Sequence, residues 1–95
     1  MLFCVTCLDK PGHQDVRLAN RAAHLDFARG FNDRIVIGGP LLSEDGQSMV
    51  GSMLVVEFSD LAAAQAIMAQ DPYALAGLFE SVTIRPYKKV LPFQA

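Results

Sequence analysis

Apolar residues crowd the chain in four short runs, separated by stretches whose apolar positions repeat with helical spacing. Residues 2–8, LFCVTCL, are dense in apolar and β-branched side chains and predict a strand. Asp9-Lys10-Pro11-Gly12 ends it. Over residues 14–30, Val16, Ala19, Ala23 and Phe27 recur at steps of three and four, with Leu18, Ala22 and Leu25 beside them. This predicts a helix that turns Val16, Ala23 and Phe27 to the core and stops at Gly30. Residues 34–42 are strand-like but interrupted by Gly38-Gly39-Pro40, since proline gives no ladder hydrogen bond and marks an edge, bulge or strand end. SEDGQS, residues 43–48, is a hairpin loop, and residues 49–58 form the next strand. Ser59 or Asp60 caps a helix carried by Leu61, Ala64, Ile67 and Met68. After Asp71-Pro72 comes a short helical piece that closes near Gly77. Residues 81–89 make the last strand, with a tail to Ala95.

The order βαββαβ predicts an α+β, ferredoxin-like fold: one antiparallel sheet with both helices on one face. Along the strands, Leu54, Val56 and Phe58 oppose Met53 and Val55, and Leu2, Cys4 and Leu8 oppose Phe3, Val5 and Cys7. Both faces are therefore apolar, whereas an antiparallel sheet with one wet face alternates more cleanly. Helices cover one face. A second copy of the chain is the simplest cover for the other, which predicts a homodimer through the open sheet face.

Composition narrows the function. Ninety-five residues make one domain, 1–95, and 52% are apolar. The formal net charge of −2 and the lack of a Lys/Arg run argue against nucleic acid or an anionic membrane as partner. The third strand also lacks the basic start and paired aromatics of an RNA-recognition sheet. No apolar stretch approaches the roughly 20 residues of a membrane span. The N-terminus has no signal-peptide pattern, so a cytoplasmic protein is expected. Cys4 and Cys7 form a C-x-x-C, but inside a strand they point to opposite faces about 10 Å apart, too far for a disulfide. Two reduced thiols are the reading, with no metal site.

Chemistry concentrates in the first helix. Arg17, Arg21 and His24, spaced i, i+4, i+7, share one face and make a local cationic patch suited to a carboxylate, phosphate or enolate. Alternatively, the arginines are solvated and pair with Asp15 or Asp26. His24 is either a histidine at the core margin or a proton shuttle near neutral pH. Asp71-Pro72 is fully explained as an N-cap followed by proline at the first helical position. A capping carboxylate can also keep an oxygen for a histidine, but spacing does not show whether residues 24 and 71 meet. Gly38-Gly39-Pro40 and Gly51-Ser52 match no phosphate loop or nucleophile elbow.

Taken in order, several motifs resemble the YciI-like (YCII-related) family. They are LFCVTCLDK, the R-x-x-x-R-x-x-H-L of residues 17–25, Gly39-Pro40, Gly51-Ser52, Ala69-Gln70-Asp71-Pro72-Tyr73 with Gly77, and Ile84-Arg85-Pro86-Tyr87-Lys88-Lys89. The resemblance spans nearly the whole chain. Asn32-Asp33 departs from it, standing where the family often has an acid-glycine turn. It implies a dimeric α/β-barrel assembly and a site built on His24 and Asp71, with Arg17, Arg21, Gly39, Pro40 and Ser52 around the pocket. It also implies chemistry like that of a dehydrochlorinase acting on a hydroxyquinol, or of muconolactone isomerases. The expectation is proton transfer, an elimination or isomerisation of a small anionic or enolic molecule, without cofactor. The alternative is a non-catalytic module that binds a small ligand or an assembly partner in the same cleft.

Overall fold

The computed structural model describes residues 1–93. Its elements are β1 (Leu2–Asp9), α1 (Gln14–Arg29), a 3-10 turn at Asn32–Arg34, β2 (Ile35–Leu42), β3 (Met49–Glu57), α2 (Leu61–Met68), α3 (Pro72–Leu75) and β4 (Phe79–Tyr87). The sheet order is β2-β3-β1-β4, antiparallel throughout. This is the α+β, ferredoxin-like βαββαβ fold that the pattern predicts. No helix among the described residues is long and apolar enough to cross a membrane.

Register explains where the core sits. Phe3, Val5 and Cys7 pair with Val56, Leu54 and Ser52, so all six share the face beneath the helices. Phe3, Val5, Leu54, Val56 and Phe58 are buried there against Ala64 and Met68 of α2. The opposite face carries Cys4 and Thr6 beside Val55 and Met53, as the strand alternation requires. Cys4 and Cys7 are both free thiols on opposite faces.

Three sequence expectations change. First, Gly38-Gly39-Pro40 does not interrupt β2: these residues pair in order with Leu54, Met53 and Ser52. Of the edge, bulge or strand end that the proline predicted, the edge is what the sheet order gives, and there a proline is tolerated without a break. The irregularities lie on either side, between Ile35 and Ile37 and between Leu41 and Leu42. Second, β4 begins at Phe79 rather than 81, because β1 extends to Asp9, which pairs with Phe79 across a bulge. It ends at Tyr87, before the two lysines.

Third, α1 is rotated from its expected setting. Ala23 is exposed and Leu18 is 56% exposed, while Arg17 is only 2% exposed. Phe27 does turn inward, but it is accompanied by Arg17 and His24 rather than by Ala23. Alanines bury little apolar area, so they exert weak control over helix rotation. A buried arginine with matched acceptors exerts more.

The short helices follow their caps. Asp60 accepts the Ala63 N–H at 2.8 Å and starts α2. Asp71 accepts the Tyr73 N–H at 2.9 Å, Pro72 takes the first turn of α3, and Gly77 closes the segment with φ of 73°. That left-handed turn redirects the chain straight into β4.

Candidate active site

Two strand residues prepare the site. Asp9, at the end of β1, and Ser52, on β3, lie beneath α1 and offer oxygens upward. Arg17 meets both: its Nε and one terminal nitrogen donate to the two Asp9 oxygens at 2.7 and 2.9 Å, and that same terminal nitrogen donates to Ser52 Oγ at 3.0 Å. This fork geometry is the strong form of an arginine–carboxylate pair. Burial works against the guanidinium charge, but hydrogen bonding and attraction from Asp9, with help from Tyr73, hold its pKa above the ordinary value. The Arg17 partner is thus Asp9, not Asp15 or Asp26. Asp26 instead pairs with Arg29 on the exposed side of α1.

Two turns along α1, His24 reaches the cap of α3. Its Nδ1–H donates to Asp71 Oδ1 at 2.9 Å and Oδ2 at 3.1 Å. The 1% exposed carboxylate also accepts from the Tyr73 amide, and an ionised carboxylate has acceptors only. Nδ1 must then carry the proton. Nε2, on the far side of the ring, has no protein partner among the described residues. The imidazole stacks on Tyr73, with centroids 4.1 Å apart and planes 13° apart. Tyr73 in turn lies 4.6 Å from the Arg17 guanidinium carbon. Burial raises the Tyr73 pKa above the phenol's ordinary value, against the pull of Arg17 and Arg21.

These groups form the wall of one cavity, about 240 Å³, between α1 and the β2–β3 half of the sheet. His24, Asp71, Arg17, Arg21, Gly39, Pro40 and Ser52 all line it. Its other wall is apolar, with Phe27, Phe31, Ile35, Leu54 and Met68. Arg21 is exposed and makes no ion pair among the described residues. A dry cavity of about 150 Å³ holds benzene, so this one has room for a single substituted ring.

A family model, the YCII-related domain, matches residues 1–88. The chain belongs to that family. Its relatives include protein YciI of Escherichia coli, 36% identical over 95% of this chain and 99% of that protein. Among solved structures, 5-chloro-2-hydroxyhydroquinone dehydrochlorinase (TftG) from Burkholderia phenoliruptrix, in complex with 2,5-dihydroxybenzoquinone, superposes with a TM-score of 0.86. It is 34% identical, covering 93% of this chain and 94% of its own. SnoaB, a cofactor-independent oxygenase from Streptomyces nogalater, superposes at 0.60 with 18% identity over 96% of both chains. That likeness speaks for the shared fold, that of the dimeric α+β barrel proteins.

In this YCII-related protein, two site residues escaped the sequence reading. Asp9 appears there in a turn and inside the motif LFCVTCLDK, with no role, and no spacing links it to Arg17 across the β1–α1 loop. Tyr73 appears there only as the last residue of the motif Ala69-Gln70-Asp71-Pro72-Tyr73, with no role of its own.

Cys7 sits within the same cluster and is chemically quiet. Burial, with the nearby Asp71 charge, pushes its pKa up to about 12, and Arg17 only partly opposes this. The native state therefore keeps the thiol protonated, while the unfolded chain ionises it near 9.0. Stability from this group is complete below pH 9 and is lost as pH rises toward 12, by about 1.4 kcal/mol per pH unit. Urea unfolding at pH 8.5 and pH 10 is expected to show that loss in the wild type and a flatter response in Cys7→Ala. An equal alkaline loss in both would remove Cys7 as its source.

Proposed function

We propose that this protein is a small-molecule enzyme that moves a proton on a hydroxylated, quinone-like aromatic ring. One observation carries the reading: Asp71 accepts a hydrogen bond from the Nδ1–H of His24, which leaves Nε2 without a protein partner among the described residues, and His24 lines a ring-sized cavity. A bare imidazole nitrogen is a general base, and Asp71 stabilises the imidazolium formed when it accepts a proton. Arg21 is the free cation at that wall and receives the developing enolate or phenolate oxygen. Arg17 has two nitrogens committed to Asp9 and Ser52, so it shapes the wall and contributes its charge more than its fork. Gly39 and Pro40 form the strand side of the pocket.

The chemistry that fits is elimination or isomerisation. The base takes a proton, the electron pair enters the ring system, and either a leaving group departs or the double bonds shift. No change of oxidation state is involved. TftG, which acts as a dehydrochlorinase and holds a dihydroxybenzoquinone, supports this choice of substrate class. The same cleft serves a non-catalytic reading, in which a ring is bound but not converted.

The assembly belongs to the proposal. The open sheet face carries Ile37, 59% exposed and paired with Val55, together with Cys4 and Met53. An apolar sheet face of this kind is covered by a second copy, face to face.

The functional test uses 5-chloro-2-hydroxyhydroquinone with chloride release as readout, and 2,5-dihydroxybenzoquinone as a binding probe. Turnover is expected, and His24→Ala is expected to lower kcat/KM by about 10²–10⁴. Asp71→Asn keeps a cap but loses the charge and falls in the same direction. Binding of the quinone without any turnover of the chlorinated ring would favour the non-catalytic reading. For the assembly, light scattering at micromolar concentration is expected to give a dimer that Ile37→Lys dissociates. A monomeric wild type would contradict the sheet-to-sheet arrangement.

A further inference from the structure

Asp71 fixes one atom of the imidazole, not its plane. A carboxylate that accepts from Nδ1 still lets the ring tilt about that hydrogen bond, and each tilt swings Nε2 across the cavity wall. Something else must choose the tilt. Tyr73 is the group in position to do so, since its ring lies 4.1 Å from the imidazole centroid and only 13° from parallel.

Tyr73 is itself held from several sides. Its amide donates to Asp71 Oδ1, the same oxygen that accepts the shorter hydrogen bond from His24 Nδ1–H. Its carbonyl accepts from the Leu78 N–H at 3.1 Å. Phe79 meets its ring edge-on, at 6.0 Å and 81°. The Arg17 guanidinium lies 4.6 Å from its centroid and is in turn clamped by Asp9. The side chain is 1% exposed, so no open space surrounds it. The contacts close a loop: Asp9 holds Arg17, Arg17 and Asp71 hold Tyr73, and Tyr73 with Asp71 holds His24.

We propose that Tyr73 is the positioning residue of this site: its ring sets the plane of the His24 imidazole and so aims Nε2 into the cavity. Asp71 chooses the tautomer and Tyr73 chooses the direction. The aromatic face also suits the imidazolium that forms on proton transfer, because a cation is attracted to a π face. The ring acts here, not the hydroxyl. This inference deepens the proton-transfer reading above and rests on it for its consequence in turnover, but not for its geometry.

The test separates the two. In the wild type, NMR of the His24 imidazole is expected to show its carbon-bound ring protons shifted upfield by the stacked Tyr73 ring. No such shift in the wild type would overturn the proposal without any variant. Tyr73→Phe keeps the ring and is expected to keep both the shift and kcat. Tyr73→Met keeps apolar bulk but removes the ring. It is expected to release the shift and lower kcat by about 10²-fold with a smaller change in KM. If Tyr73→Phe loses as much as Tyr73→Met, the hydroxyl acts and the proposal falls. If Tyr73→Met leaves the His24 signals unchanged, Tyr73 only fills space. Absence of turnover in the wild type would sink the enzymatic reading while the NMR result still decides whether Tyr73 orients His24.

Discussion

The structure turns on one buried carboxylate. Asp71 is shielded from water, and a charge in that position persists only when its oxygens are matched by donors. Two donors come from different parts of the chain: the Tyr73 amide, two residues on, and the His24 ring, 47 residues back. The first starts α3 and the second ties that helix to α1. A cap that would ordinarily be a local device thereby becomes a long-range contact, and the histidine gains a fixed tautomer from the same atoms.

The setting of α1 follows from a similar constraint on Arg17. A guanidinium this deeply buried is tolerable because Asp9 and Ser52 meet its fork, and Tyr73 lies beside it. The polar stripe therefore turns to the sheet, and Leu18 and Leu25 are left outside. Packing polar groups under the helix leaves a space that apolar side chains would otherwise fill. The cavity is the result, with Arg17, Arg21 and His24 on one wall and hydrophobic side chains on the other. Stability of the helix layer and chemistry of the site are thus two outcomes of one arrangement.

Much of this was legible in the sequence where a short-range rule governs. Strand faces follow a strict period of two, so the opposition of Phe3, Val5 and Cys7 to Leu2, Cys4 and Leu8 could be read directly. Asp60 and Asp71 announced their helices by type and position. The rotation of α1 was not legible, because Val16, Leu18, Ala19, Ala22, Ala23 and Leu25 distribute apolar character around most of the helix. The deciding partner of Arg17, Asp9, lies across a loop with no periodic relation to it. The proline of Gly38-Gly39-Pro40 allowed an edge, a bulge or a strand end, and local propensity alone could not choose the edge among them. The family resemblance had named His24 and Asp71 together, but only the folded chain shows their atoms in contact.

The most direct measurement is a long-range proton–nitrogen correlation spectrum of the wild-type His24 imidazole at neutral pH, without ligand. The expected result is that the neutral form of the ring carries its hydrogen on Nδ1, with the lone pair on Nε2. A ring protonated on Nε2 instead would mean that Asp71 does not receive the imidazole proton. Nε2 would then be a donor, and the site would have no base.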